Sequence, residues 1–297
     1  MDIHGRSKGK LKQRDSNPGI ITLSPGGVAR NIAEILSRLE INCHLISAVG
    51  NDAYGQQLIS QGQAQGIDMD GVVQTKTQAT SCYVSIVDDS GDMLAGISDT
   101  EILQDINAET LSIQDKLINT AQLIILETNL SNHALDYLCT TYTHKTLFVD
   151  TVSTSKATRI NSHLASIHTL KTSLNEAESL SGFRIFDHAH LPKLARWFHE
   201  RGLKRIFVTL GDKGCYYSDG LQQGLAPALK SKATNTAGAG DTLFAALAYA
   251  WLANWPLLKS VQFAQRAALL NLSHAATIHP SLSLATIQDY YQQHYEH

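Results

Sequence analysis

Asn235-Thr236-Ala237-Gly238-Ala239-Gly240-Asp241-Thr242 runs directly into the apolar stretch Leu243–Ala253. Small residues ahead of a long apolar run predict a helix start. The first amides of a helix lack intrahelical partners and carry the positive end of its dipole. Glycines let an anion approach that backbone closely. The stretch therefore predicts an anion cradle over Ala237, Gly238, Ala239 and Gly240, with the carboxylate of Asp241 in the helix's first turn. The helix terminus favours the ionised carboxylate, so Asp241 should be charged at pH 7. Such a group can take the proton of an attacking hydroxyl while the amides hold charge on a transferring phosphoryl group. Alone, the stretch reads equally well as a capped helix start. It is not the GxxxxGK[ST] loop, and it does not match GxGxxG after a first strand.

Outward from this stretch, short β-rich runs alternate with helical ones. The strands predicted are His44–Val49, Leu123–Glu127, Leu147–Asp150, Ile167–Lys171 and Arg205–Leu210. The helices predicted are Val28–Leu39, Asn132–Tyr142, Leu174–Ser181, His188–Arg201, Asp241–Ala253 and Leu257–Ala275. Such alternation points to an α/β fold, a mostly parallel central sheet flanked by helices. Residues 71–98 break the rhythm. Val72–Gln74, Ser81–Val87 and Met93–Ile97 read as strands without helices, with Asp88-Asp89-Ser90-Gly91 as a turn. They fit a small separate sheet, a lid over a site. A hairpin near Tyr216–Leu225 should also be antiparallel. The chain opens on Met1-Asp2-Ile3-His4-Gly5, which reads as the end of a strand.

Three further motifs carry chemistry. Pro25-Gly26-Gly27-Val28-Ala29-Arg30-Asn31 places two glycines ahead of a periodic helix, with Asn31 one turn in. Its amide can serve vicinal hydroxyls as donor and acceptor. Thr209-Leu210-Gly211-Asp212-Lys213-Gly214 is a strand ending in a glycine turn, at the end of the sheet where open α/β folds bind ligands. Lys171-Thr172-Ser173-Leu174-Asn175-Glu176-Ala177-Glu178 sets carboxylates after a strand, able to hold Mg2+ through water.

The bulk numbers exclude other classes. Of 297 residues, 43% are hydrophobic and 17% charged, enough for a substantial core. The formal charge of −3 draws the chain neither to nucleic acid nor to an anionic membrane. Basic residues cluster only from Arg6 to Arg14, which reads as a solvated loop. Cys43, Cys82, Cys139 and Cys215 are far apart, so reduced thiols in a cytoplasmic protein are expected. The thirteen histidines are scattered, without zinc-site spacing. No signal peptide or membrane-spanning run is apparent.

Together, Gly26-Gly27…Asn31 and Asn235…Gly240-Asp241 resemble the two signatures of the ribokinase-type (PfkB) carbohydrate kinases. The resemblance runs over essentially the whole chain. Asp15-Ser16-Asn17-Pro18-Gly19, Ser24–Glu34, Ser47-Ala48-Val49-Gly50 and His168-Thr169-Leu170-Lys171 are similar to the branch of that family acting on pseudouridine. The resemblance implies one ribokinase-like domain over 1–297, with a lid from about 3–24 and 71–100. It implies transfer of the ATP γ-phosphate to the 5′-hydroxyl of pseudouridine, with Mg2+. The alternatives are a kinase for ribose, adenosine or inosine, or an inactive nucleoside-binding remnant. Asp241 aligns with the family's base and Ala237–Gly240 with its anion hole. Asp2, Gly26, Gly27 and Asn31 align with sugar-binding positions, and Thr209, Gly211 and Gly214 with nucleotide contacts. Glu176 aligns with the metal-organising glutamate of an Asn-x-x-Glu motif whose Asn is Ser173 here. The family also opens on a buried strand ahead of its substrate aspartate, and here that first strand is missing before Asp2. K+ activation and a homodimer through the lid are further family traits.

Overall fold

In the computed structural model, residues 1–89, 93–229 and 236–295 are described. Ser90, Gly91 and Asn235 of the motifs above lie outside them. The strands are β1 (Asp2–Ser7), β2 (Gly19–Ser24), β3 (Ser47–Gly50), β4 (Val72–Thr75), β5 (Cys82–Val87) and β6 (Met93–Asp99), followed by six more. Those six are β7 (Ile124–Glu127), β8 (Leu147–Asp150), β9 (Thr169–Ser173), β10 (Arg205–Thr209), β11 (Cys215–Ser218) and β12 (Gln223–Ala226). The helices are α1 (Val28–Arg38), α2 (Ala53–Ala64), α3 (Ala108–Ile113), α4 (Asp115–Thr120), α5 (Asn132–Thr141) and α6 (Thr154–Ala157). They continue as α7 (Leu174–Ser181), α8 (Leu191–His199), α9 (Ala239–Leu252), α10 (Leu257–Leu272) and α11 (Leu284–Tyr295).

The central sheet has the order β12-β11-β10-β9-β8-β7. Strands β7 to β10 are parallel, and the β11–β12 hairpin is antiparallel. Side chains alternate across it with a period of two. Phe148 and Phe207 point into a core shared with Ile32, Phe244 and Val261. Val149, Ile206 and Val208 point into the opposite core, with Leu135, Ala177 and Phe198. Both faces are thus covered by helices, which is why these strands read as continuous apolar runs.

Several expected elements shift. The predicted helix His188–Arg201 divides into a 3-10 turn at His188–His190 and α8. Pro192 sits in the first turn of α8, where its missing N–H costs nothing. Helix α2 was not among the predicted helices, since four glutamines and two glycines blur its apolar period. It starts on Asp52, whose side chain accepts from the Gly55 amide.

A second sheet, β2-β1-β5-β6, stands apart. Asp2, read from sequence as a strand end, opens β1, which lies between β2 and β5. Val72–Gln74, grouped above with the lid strands, pairs instead in parallel with β3. Ser85 is buried and accepts or donates a 2.6 Å hydrogen bond with His4, whereas Val84 and Ile86 are exposed. On β5 the face carrying Ser85 is therefore the more covered one, while β2 and β6 are exposed along nearly their whole length.

Strands β3 and β7 each have one strand partner among the described residues. A cavity of about 390 Å3 is lined by Leu45 and Ile46 leading into β3, and by Ile124, Ile125 and Leu126 of β7. No described helix is long and apolar enough to cross a membrane.

Candidate active site

The C-terminal ends of the parallel strands carry charge. Glu127 ends β7, Asp150 ends β8, and Lys171 to Ser173 end β9. This is where open α/β sheets bind ligands. The start of α9 arrives at the same end: a Cβ added at Gly240 would lie 2.9 Å from the Lys171 Nζ.

Asp241 sits in the first turn of α9. The Asn31 side-chain amide donates to Asp241 Oδ2 at 2.7 Å, spanning 210 residues of chain. The orientation of that amide is dictated by Arg30, which donates to Asn31 Oδ1 at 2.7 Å. Arginine has no acceptor, so the Asn31 oxygen must face it and the NH2 must face Asp241. Arg30 itself is buried, paired with Glu34 at 2.7 Å and donating to the Gly26 carbonyl at 3.2 Å. Asn31 was read as a sugar contact; both ends of its amide are engaged with protein, and one end holds the carboxylate. Arg30 was not singled out from sequence. An arginine at i with a glutamate at i+4 on an apolar helix face was the available signal.

Asp241 was expected to be held ionised by the helix end. Its pKa is instead raised to about 6. Burial is the main cause, and the neighbouring Asp150 adds to it; Lys171 and the Asn31 hydrogen bond oppose it. The carboxylate is still mostly charged at pH 7, and it is a better proton acceptor than an ordinary aspartate. Glu127 is pushed up to about 7, by burial first and then by Asp150, against hydrogen bonds from Asn129 and the charge of Lys156. Sequence reading passed over Glu127 and Asp150 because a carboxylate ending an apolar strand shows no motif.

The cradle is a built turn. Gly238 is the N-cap of α9 at φ +74°, without a side-chain cap. A Cβ there would lie 2.0 Å from the Thr277 carbonyl oxygen, so only glycine fits. The Thr242 amide and hydroxyl both donate to the Gly238 carbonyl at 2.8 Å, which starts the helical ladder. Ala239 N reaches Thr236 O at 3.4 Å. The amides of Gly240 and Asp241 precede the first ladder bond and have no intrahelical acceptor. Asn271 of α10 is fully buried and pins the turn, donating to the carbonyls of Thr277 at 3.0 Å and Ala237 at 3.3 Å. Nothing in the sequence marked that asparagine.

Asp2 lies directly over Gly26: a Cβ there would meet its carboxylate atoms at 2.0 to 2.4 Å. Burial raises the Asp2 pKa, opposed by the terminal ammonium, His4 and Arg30. Gly27 is the N-cap of α1 at φ +101°. Asp2, Gly26 and Asn31 are thus brought to one place, and Asn31 joins them to Asp241. Thr209 ends β10, and Gly211–Lys213 forms a short 3-10 turn before Gly214. Glu176 is engaged locally. Its Oε2 accepts from Ser173 N at 2.8 Å and from the Thr151 hydroxyl at 2.5 Å, while Ser173 Oγ accepts from Glu176 N at 3.4 Å. Ser173 and Glu176 therefore form a capping box for α7. Glu178 accepts from Ile185 N at 2.6 Å and shapes the following loop. Among the described residues, no three His, Cys, Asp or Glu side chains converge as a metal cage.

The chain matches known proteins along nearly its whole length. Residues 1–284 match the pfkB family carbohydrate kinase profile. The chain is 38% identical over 288 residues to the pseudouridine kinase of Escherichia coli strain K12, covering 97% of this chain and 92% of that protein. The crystal structure of a putative sugar kinase from Clostridium perfringens superimposes with a TM-score of 0.86 at 30% identity, covering 98% of this chain and 92% of that one. A putative ribokinase II from E. coli, solved in complex with ATP and Mg2+, gives a TM-score of 0.83 at 19% identity, covering 99% and 97%. With this fold and this family match, the chain belongs to the PfkB family of carbohydrate kinases.

Proposed function

We propose that the protein transfers the γ-phosphoryl group of ATP to the 5′-hydroxyl of pseudouridine. The hydroxyl proton passes to an Asp241 oxygen. The acceptor oxygen bonds to the γ-phosphorus, the bond from that phosphorus to the bridging oxygen breaks, and ADP leaves. The amides at the start of α9 receive the charge spread over the phosphoryl oxygens, a task that consists mostly of positioning and electrostatics. The observation that carries this reading is the 2.7 Å bond from Asn31 to Asp241. It ties the sugar-binding motif near the start of the chain to the base and cradle near its end.

Asp2, Gly26, Gly27 and Asn31 would hold the ribosyl hydroxyls. Ala237 to Gly240 would hold the transferring group, and Thr209, Gly211 and Gly214 the nucleotide. Mg2+ commonly uses one or two carboxylates, several waters and the substrate's own phosphates. The residues present fit a metal that arrives with ATP and meets Glu176 through water, and the ATP and Mg2+ bound by the ribokinase II neighbour support this. Mg2+ would neutralise charge on the phosphates; K+ is an activator to be tested. The exposed Ile21 and Ile97, at 70% and 72%, make the four-stranded sheet the surface through which a homodimer would form, and light scattering reads that directly.

The 38% identity to a pseudouridine kinase supports the choice of acceptor. Purified protein with ATP and Mg2+ is assayed against pseudouridine, ribose, adenosine and inosine. The highest kcat/KM is expected for pseudouridine. A higher value for another acceptor would reassign the substrate, and no phosphorylated product with any would end the kinase reading.

A further inference from the structure

Arg30, Asn31 and Glu34 of α1 are buried alongside Ile32, Ile35 and Leu36. Charged side chains are almost never enclosed in this way unless paired. The Arg30 guanidinium makes a bond with each of its three nitrogens. Nε donates to the Gly26 carbonyl at 3.2 Å, Nη1 to Glu34 Oε2 at 2.7 Å and Nη2 to Asn31 Oδ1 at 2.7 Å. Glu34 is held in turn: its Oε1 accepts from Arg38 Nε at 3.0 Å and Nη2 at 2.8 Å, and Arg38 Nη1 donates to the Pro280 carbonyl. Stability alone does not call for this row. The desolvation of a buried ion pair offsets its attraction, and apolar residues of similar volume often serve the fold as well.

What the row fixes is the direction of one amide. Each bond toward the base runs the same way: Arg30 donates to Asn31, and Asn31 donates to Asp241. An asparagine amide has nearly the same shape either way round, and only its partners decide which end faces where. Turned over, the Asn31 oxygen would meet the Asp241 carboxylate, acceptor against acceptor. That contact is favourable only when the carboxyl is protonated and donates. A protonated Asp241 cannot take the proton of an acceptor hydroxyl.

We propose that Arg30, braced by Glu34 and Arg38, is a positioning residue that keeps the NH2 end of Asn31 on Asp241 and so holds that carboxylate in its proton-accepting form. This rests on the kinase reading above and adds to it a residue that acts through another. The same guanidinium holds the Gly26 carbonyl, at the glycine over which the Asp2 carboxylate lies. One buried cation thus sets both the glycine motif and the base. A lysine would not replace it, since a compact ammonium lacks the planar fork that reaches three acceptors in fixed directions.

The test is a double-mutant cycle read on the pH–rate profile. The groups facing Asp241 are Asp150 of β8 and Asp2 of β1, which raise its titration, and Lys171 of β9 and Asn31 of α1, which lower it. All four remain in Arg30→Met. Freeing the amide sets an acceptor where a donor was, so the folded pKa rises and the acidic limb of kcat moves to higher pH. The expected shift is roughly one to two pH units, the worth of one hydrogen bond to a charged group. At pH 7 kcat should fall about two- to tenfold and recover at pH 9, which a distorted site would not do. Loss of the Arg30 charge by itself would act equally with or without Asn31. In an Asn31→Ala background, Arg30→Met should therefore leave the limb where Asn31→Ala alone puts it. A limb that stays in place in Arg30→Met, or that shifts by the same amount in both backgrounds, overturns the assignment. Should Arg30→Met not fold, Arg30→Met/Glu34→Gln removes the pair together, leaves Arg38 an oxygen, and is read the same way. If the parent protein phosphorylates no ribosyl acceptor, the kinase reading fails separately. The Asp241 titration is then followed by carboxyl 13C NMR in the same set of proteins. An upward shift that depends on Asn31 supports the assignment, and an unchanged or Asn31-independent titration overturns it.

Discussion

Asp241→Asn separates a catalytic carboxylate from a structural one, because the two roles predict opposite changes in stability. Burial and Asp150 raise the Asp241 pKa from 3.8 to about 6. The folded protein therefore holds a proton that the unfolded chain has released between those values. Stability due to this group is present below pH 4 and declines as pH rises through 6. At 1.36 kcal/mol per unit, ionised Asp241 costs the fold roughly 2–3 kcal/mol at pH 8. Asparagine carries no charge to bury, and its oxygen can still accept from Asn31. The variant should thus be more stable than the parent at pH 8, by up to that amount, and nearly equal at pH 4. Its kcat should fall by about 10²–10⁴ with loss of the proton acceptor. Urea denaturation at the two pH values, with turnover measured alongside, tests both halves. A variant less stable at pH 8 and still turning over within tenfold of the parent would refute the reasoning.

Glu127→Gln should behave alike in stability: with the carboxyl raised to about 7, the gain over the parent should grow from pH 4.5 to pH 7 in denaturant melts. Gly26→Ala forces the Asp2 carboxylate aside, since the new methyl would sit 2.0–2.4 Å from it. The flexible aspartate can yield, so folding should survive while acceptor KM rises at least tenfold with kcat less affected, read by steady-state kinetics. Ser173→Ala removes one half of the α7 capping box, expected to cost about 1 kcal/mol in melting experiments. The Mg2+ concentration giving half-maximal rate should stay within twofold in that variant, because the hydroxyl serves the helix.

The capping box shows that one short motif supports two tasks, of which the fold displays the helix-capping one. Ser-x-x-Glu after a strand is a helix-start signature in its own right, and the structure uses it so. Whether Glu176 also meets a metal through water depends on a ligand, which no spacing encodes. The reverse holds at the four-stranded sheet. Ser81–Val87 was legible as a strand, but not which of its faces looks inward. Ser85 is covered because His4 lies against it, a contact across 81 residues.

The parallel strands of the central sheet and helices such as α1, α5, α7, α9 and α10 were written in local sequence, because apolar runs, glycines and caps act within a few residues of one another. By contrast, β2, α2, α3, α4 and α11 were not among the elements predicted. The helix start at Gly238–Asp241 was legible because of such local signals: amides without intrahelical acceptors at a helix start follow from backbone geometry alone. The chemistry of the site was not local. Arg30 turning Asn31 toward Asp241, Asn271 pinning the cradle, and Lys171 meeting Gly240 each join elements distant in the chain. The proton affinity of Asp241 likewise came out opposite to what its helix position predicts. Desolvation and the field of Asp150 arise only when strand and helix are packed together, and that packing outweighs the helix dipole.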